Sequence, residues 1–341
     1  MMKKTTSALA VAALLGTGAA TAATFQVNDD TTISVSGNFY ITYLNQTDAN
    51  GVDQTSFADN GSDLIFSGEH AAANGMTTFF NLDLDGFDTT QANQNQQGNV
   101  VDEASVGVRG GFGQILVGSN TSAYDAYADY ADIEQVGDRT SFSPGDQSDV
   151  IQYSNTLDNV NFMVSLEVGD NQGDDGEVTN GNTVDGTDNV LVREDEVADG
   201  SQTAIDVGAS IDLGGLTLSG AYNDRAATDD GDAIYGFGAS TNLAGVDLTV
   251  GHEIDDADNG IDKTVLTGSY SVGATTLIAS IQNVNYDTAP ARDGNEDSFT
   301  ETYIGANYGL TSQMTLWAEA LFMDNADDAD DYTAVGVNYS W

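Results

Sequence analysis

Side chains alternate between apolar and small or polar over short stretches that recur from about residue 31 to the carboxyl end. In the terminal stretch Thr333, Val335, Val337, Tyr339 and Trp341 share one parity, while Tyr332, Ala334, Gly336, Asn338 and Ser340 share the other. A period of two belongs to the β-strand, whose successive side chains point to opposite faces. The same alternation sets Ile33, Val35, Gly37, Phe39, Ile41 and Tyr43 against Ser34, Ser36, Asn38, Tyr40 and Thr42, and it returns in 160–168, 205–213, 216–223 and 246–253. The polar parity holds Asp, Glu, Asn, Ser, Thr and Gly, so that face is read as wet. A sheet with hydrocarbon on one side and water on the other, ending on an aromatic, fits the wall of a membrane β-barrel. A soluble sandwich burying its apolar face against a second sheet would give a similar pattern.

The connections separate these two readings. Short links fall near 72–75, 110–113, 158–160, 214–215, 244–245, 273 and 310–313, and they alternate with long acidic ones near 45–61, 87–100, 120–146, 170–202, 224–232, 255–262, 287–297 and 324–331. Tight turns at one rim and long loops at the other are the asymmetry of an outer-membrane barrel. Seven turns and eight loops join sixteen antiparallel strands, enough to enclose an aqueous channel. The two prolines, Pro144 and Pro290, both lie in long links, where no ladder hydrogen bond is lost.

The amino end reads as an export signal: Lys3 and Lys4, an apolar run over 8–15, then Ala20-Thr21-Ala22. That run is too short to span a bilayer, which takes about 20 residues. Cleavage after Ala22 divides the chain into a signal peptide, 1–22, and one barrel domain, 23–341, exported to the cell outer membrane. With Lys3 and Lys4 gone, six of the eight bases remain against 54 acids, a formal charge of −48. Such a surface repels nucleic acid and anionic headgroups. An acidic balance with 9% aromatic residues and strict periodicity points to adaptation to concentrated salt rather than disorder. The absence of cysteine removes disulfides, thiol nucleophiles and thiolate metal sites.

With the strands placed, Val106-Gly-Val-Arg-Gly-Gly-Phe-Gly-Gln-Ile-Leu-Val-Gly-Ser119 followed by Tyr124-Asp125-Ala126 resembles the strand–turn–strand and loop start of the general, trimeric porins of Gram-negative bacteria. Further matches are 62–68, 149–153 and the terminal strand, so the resemblance covers the whole mature chain. It implies a sixteen-stranded homotrimeric pore in outer-membrane lipid, with its third long loop folded inward; the acidic balance, for its part, points to a marine or halophilic Gram-negative source. It also implies that the barrel assembly machinery reads the last strand through Val337, Tyr339 and Trp341, Trp standing where the family ends on Phe. The chain departs from the family at Asn38, Asp63, Ser67 and Ser119, where members often carry Arg or Lys. The positive side of the transverse field at the constriction is therefore expected to be weak.

Asp125, Asp129, Asp132 and Glu134, interleaved with Tyr124, Tyr127 and Tyr130, fall in that third loop. They are read as a carboxylate lining of the constriction, which offsets part of a cation's lost hydration; the alternative is a solvated acidic loop like the others. Arg139 could add one positive site there. Glu167, Asp206, Asp212, Asp247, Glu253 and Glu319 have the inward parity and are expected to face the lumen. Lys263, Arg193, Arg225 and Arg292 are placed in or beside long loops, and Arg109 at a short turn. The Asp-rich loops match no calcium-loop motif. His70, beside a turn, and His252, with lipid-facing parity, lie near no G-x-S-x-G elbow, and Gly107–Gly113 is a hairpin with no phosphate-binding Lys after it. No enzyme activity, cofactor or metal is expected. The chain reads as a passive channel for ions and small hydrophilic solutes, preferring cations. A solute-specific channel, an adhesive or structural surface barrel and a soluble β-protein remain the alternatives.

Overall fold

The computed structural model describes residues 22–47, 53–85, 101, 103–130, 133, 135–136, 146–168, 203–224, 233–256, 260–286, 298–324 and 331–341. Its strands are β1 (Ala23–Asn28), β2 (Thr31–Thr47), β3 (Asp53–Asp59), β4 (Asp63–Ala71), β5 (Thr77–Asp85), β6 (Ala104–Gly110), β7 (Gly113–Thr121), β8 (Asp146–Leu157) and β9 (Val160–Val168). They continue with β10 (Thr203–Asp212), β11 (Leu216–Asp224), β12 (Ala233–Leu243), β13 (Val246–Asp255), β14 (Ile261–Val272), β15 (Thr275–Tyr286), β16 (Ser298–Gly309), β17 (Met314–Met323) and β18 (Tyr332–Ser340). One short helix, α1 (Ala123–Ala128), follows β7.

These eighteen segments make sixteen staves. Along one edge of β2, β4 pairs with Thr31–Gly37 and β3 with Ile41–Thr47, so β3 and β4 are one stave with a break at 60–62. Along the other edge β1 pairs with the start of β2 and β18 with Asn38–Gln46, so the two chain ends share a stave. Every pairing is antiparallel, and β18 against β2 closes the ring, leaving no long free edge. The carboxyl end seals this seam. Trp341 exchanges backbone hydrogen bonds with Gly37 at 3.0 and 3.2 Å and lies against Phe39 and Tyr339. A Cβ on Gly37 would meet the Trp341 ring at 2.9 Å, which is why the stave can close only over glycine.

The register shows which face meets which solvent. Val250, Leu266 and Ile281 stand opposite one another across β13–β15 and are 47–52% exposed on the outside. On the inward parity of neighbouring strands Glu253, Lys263, Gln282 and Glu301 are fully buried. Apolar outside and polar inside inverts the order of a soluble domain, as the alternation requires. All seven expected short turns occur; at Ala244-Gly245 both residues have positive φ, the two-residue turn whose twist matches the strands. The structure corrects the chain's first segment. Ala23–Asn28 forms an additional strand, and most of the expected long link 45–61 is ladder, because Asn45–Thr47 pairs with Asp53–Thr55.

Candidate functional site: an inward-folded loop

After β7 the chain turns into the barrel. Ser122 caps α1, its Oγ accepting from the Asp125 N–H at 3.0 Å. Asp206, inward on β10, accepts the N–H groups of Ala123 and of Tyr124, the latter at 3.1 Å. The Tyr124 hydroxyl donates to Glu253 Oε2 on β13 at 2.9 Å, and Lys263 Nζ on β14 reaches the same oxygen at 3.0 Å. The Tyr130 hydroxyl shares a hydrogen bond with Ser219 Oγ of β11 at 2.8 Å.

The loop can approach this closely because the wall beneath it lacks side chains. Inward Gly208, Gly236, Gly238 and Gly251 lie under Tyr127, Ala128 and Tyr130; a Cβ on Gly236 would sit 2.8 Å from Ala128 Cβ, and one on Gly251 would sit 2.6 Å from Tyr130 Cβ. Tyr124 and Ala128 are buried with Ile234 and Val265 in an apolar seat. Burial raises the hydroxyl pKa of Tyr124 and Tyr127, and pushes that of Tyr130 up to about 12.

Further along, the loop reaches another part of the wall. Ile133 packs with Ile278, Tyr303, Trp317, Leu321, Met323 and Tyr332. Glu319 on β17 accepts four donors: the N–H groups of Gln135 and Val136 at 2.9 and 3.0 Å, and the hydroxyls of Tyr303 and Tyr332 at 3.0 and 3.2 Å. Tyr40 and Asn60 donate to Gln135. The described loop thus touches β9–β14 and then β15–β18, β2 and the break between β3 and β4, leaving the inner wall from β4 to β8 outside these contacts.

Of the constriction residues expected from sequence, Asp125 and Asp129 lie on the loop and stay partly exposed beside the buried tyrosines; Asp132, Glu134 and Arg139 lie outside the described residues. All six inward acids have the expected parity, but their surroundings differ from the expected water. Asp206, Glu253 and Glu319 are 0–6% exposed because they grip the loop. Asp212 accepts the Gly214 N–H in a short turn at the rim, Asp247 accepts from Asn242 across another, and half-buried Glu167 accepts from Gln147 at 3.4 Å. Lys263, expected near a loop, is fully buried in the wall, because its parity on β14 turns it inward opposite Glu253. Arg109 pairs with Glu69 near the turn rim at 2.5 Å. Arg193, Arg225 and Arg292 lie outside the described residues. His252 bonds Thr264 on the outer face and His70 bonds Thr31 beside a turn.

On the β4–β6 side of the bore, Asn38 donates to Asp63 at 2.7 Å, Asp83 pairs opposite Ile65, and the Asp83 N–H bonds the Glu103 carbonyl. These three carboxylates are half-buried and belong to neighbouring staves. Asp83 and Glu103 were not singled out by the sequence reading. The inward parity of β5 gives Asp83, whereas Glu103 lies just before its strand.

Comparison with known proteins agrees with this architecture. A family profile described as Gram-negative porin matches residues 6–328. A monosaccharide porin of Halomonas sp and a major outer membrane protein of Halomonas elongata are each 25% identical over 372 aligned residues, covering 99% of this chain and all of theirs. Among solved structures, an anion-selective porin from Comamonas acidovorans superposes with a TM-score of 0.66 at 13% identity, covering 92% of this chain and all of that one. A trimer form of OmpT from Vibrio cholerae gives a TM-score of 0.64 at 15% identity, with the same coverage.

Proposed function

Because this chain belongs to the Gram-negative porin family, and is thus an outer-membrane channel protein, we propose that it is a general diffusion pore preferring cations. One observation carries the preference. Among the described residues the inner wall holds two bases, Arg109 and Lys263, and each is in an ion pair with a carboxylate. Asp63, Asp83 and Glu103 on one side, and Asp125 and Asp129 on the loop, add carboxylates to the same bore. In ring order α1 lies across the bore from β2–β5, so a permeating ion passes between two acidic surfaces. Asp206, Glu253 and Glu319 are engaged by loop donors and contribute to shape rather than to this path. The anion-selective relative in fold shares 13% identity, so sign of charge is a matter of side chains on a common barrel.

Neutral sugars are compatible with such a bore, and the relative named a monosaccharide porin favours their passage beside ions. The protein is further proposed to assemble as a homotrimer, as the Vibrio neighbour's trimer form suggests. Cleavage after Ala22, recognition of the last strand by assembly machinery, and adaptation of the acidic surface to salt complete the reading. Reversal potentials in planar bilayers under a tenfold KCl gradient test it. They should be measured at low salt, since the Debye length is about 10 Å at 0.1 M and about 3 Å at 1 M. A potential of the sign for cation flow is expected; anion preference at low salt would overturn the proposal.

A further inference from the structure

We propose that Glu253 and Lys263 are positioning residues for permeation: they hold Tyr124, and through it the constriction loop, flat against the wall so that the bore stays open. The inference rests on the porin reading above. Glu253 and Lys263 stand directly opposite each other on β13 and β14, both fully buried, with Nζ 3.0 Å from Oε2. A buried carboxylate and ammonium are costly to desolvate, and the cost falls when each is paired and further hydrogen-bonded. Here the further bond comes from the loop, the Tyr124 hydroxyl donating to the same Oε2 at 2.9 Å.

Tyr124 is consequently held at both ends. Its N–H is fixed to Asp206 on β10 and its hydroxyl to Glu253 on β13, so the residue spans four neighbouring strands over the gap left by Gly236, where a Cβ would come within 3.2 Å of the hydroxyl. Tyr124 is fully buried, and α1 continues from it directly. A loop released from this point moves away from the wall toward the bore. The pair therefore sets the steadiness of the open state without touching the solutes that pass.

The test uses the full-length purified protein in planar bilayers. Lys263→Met leaves a buried carboxylate uncompensated. Tyr124→Phe removes only the hydroxyl. Glu253→Gln combined with Lys263→Met removes both charges yet keeps an amide oxygen to accept from Tyr124. We expect the wild type to hold one steady conductance level. Tyr124→Phe and Lys263→Met should flicker to lower levels, shortening the open dwell time about tenfold, the scale set by losing one hydrogen bond to a charged group. The double variant should recover the steady level, and reversal potentials should stay unchanged throughout.

Steady, native-like traces from Tyr124→Phe would overturn the proposal even if Lys263→Met failed to fold. So would a shifted reversal potential with no flicker, which would make Glu253 part of the ion path. A wild type that inserts and carries no current would remove the porin reading, and this inference with it; a conducting wild type with silent variants would remove this inference alone.

Discussion

A single added methyl group at Gly251 should loosen the constriction loop. The Cβ of alanine there would lie 2.6 Å from Tyr130 Cβ, with two of its ring-side atoms nearer still. Carbon atoms rest at about 3.5–4.0 Å, so Tyr130 must retreat by roughly 1 Å at least. Overpacking of this kind costs about 1–3 kcal/mol. The retreat also strains the Tyr130 bond to Ser219, worth about 1 kcal/mol if lost. Together about 2–4 kcal/mol is set against the seated loop, which multiplies the unseated population roughly thirty-fold to several-hundred-fold at 1.4 kcal/mol per decade. Single-channel recording should show brief closures in Gly251→Ala that are rare in the wild type. Gly268→Ala is the control. It lies on the lipid-facing side, and its Cβ would meet Leu248 at 3.4 Å, an ordinary contact. Identical traces from the two variants would refute the idea that glycines on β10–β13 are a seat for the loop.

Other consequences follow from the same contacts. Glu319→Gln replaces one acceptor oxygen by a donor among four incoming donors, and amide exchange at Gln135 and Val136 should accelerate at least about tenfold. Asp63→Asn with Asp83→Asn should shift the reversal potential toward zero at low salt while leaving thermal stability in detergent unchanged. For Tyr130, burial lifts the hydroxyl from its ordinary 10.0 to about 12. The seated loop favours the neutral form, so its stability is intact below pH 10, declines between 10 and 12 as the unseated hydroxyl ionises, and is lost beyond. Tyrosinate absorbance and channel closures recorded in parallel should rise together across that window.

The barrel was legible because its signal is local and repeated. Period-two alternation, tight turns and a terminal aromatic each depend on a few adjacent residues, and together they gave the stave number and the lipid-facing parity. The additional strand Ala23–Asn28 was not legible, since its pairing with β2 shares the stave completed by β18 some three hundred residues later. The inward acids were assigned to the right face but to the wrong surroundings. Parity says that Asp206, Glu253 and Glu319 point inward; only the path of the loop says that they meet N–H groups and tyrosine hydroxyls instead of water. Lys263 was misplaced for a related reason, because β14 begins two residues before it. A signal for the seat was present in the sequence. Gly208, Gly236, Gly238 and Gly251 share inward parity on nearby strands, and missing side chains on a wall facing water imply something packed there.

A loop lying inside the barrel, against that glycine wall, is what narrows the bore. The chain has no cysteine, so one engineered pair can report on it without interference. Ala128→Cys with Gly236→Cys places one thiol on α1 and one on β12, where the Cβ atoms would be 2.8 Å apart and need open by only about 1 Å to reach the mean disulfide spacing of about 3.8 Å. Mild oxidation of the folded protein should join them intramolecularly in nearly every molecule, and the oxidised channel should still conduct. Two thiols that stay reduced and freely alkylated in the folded barrel would contradict the account.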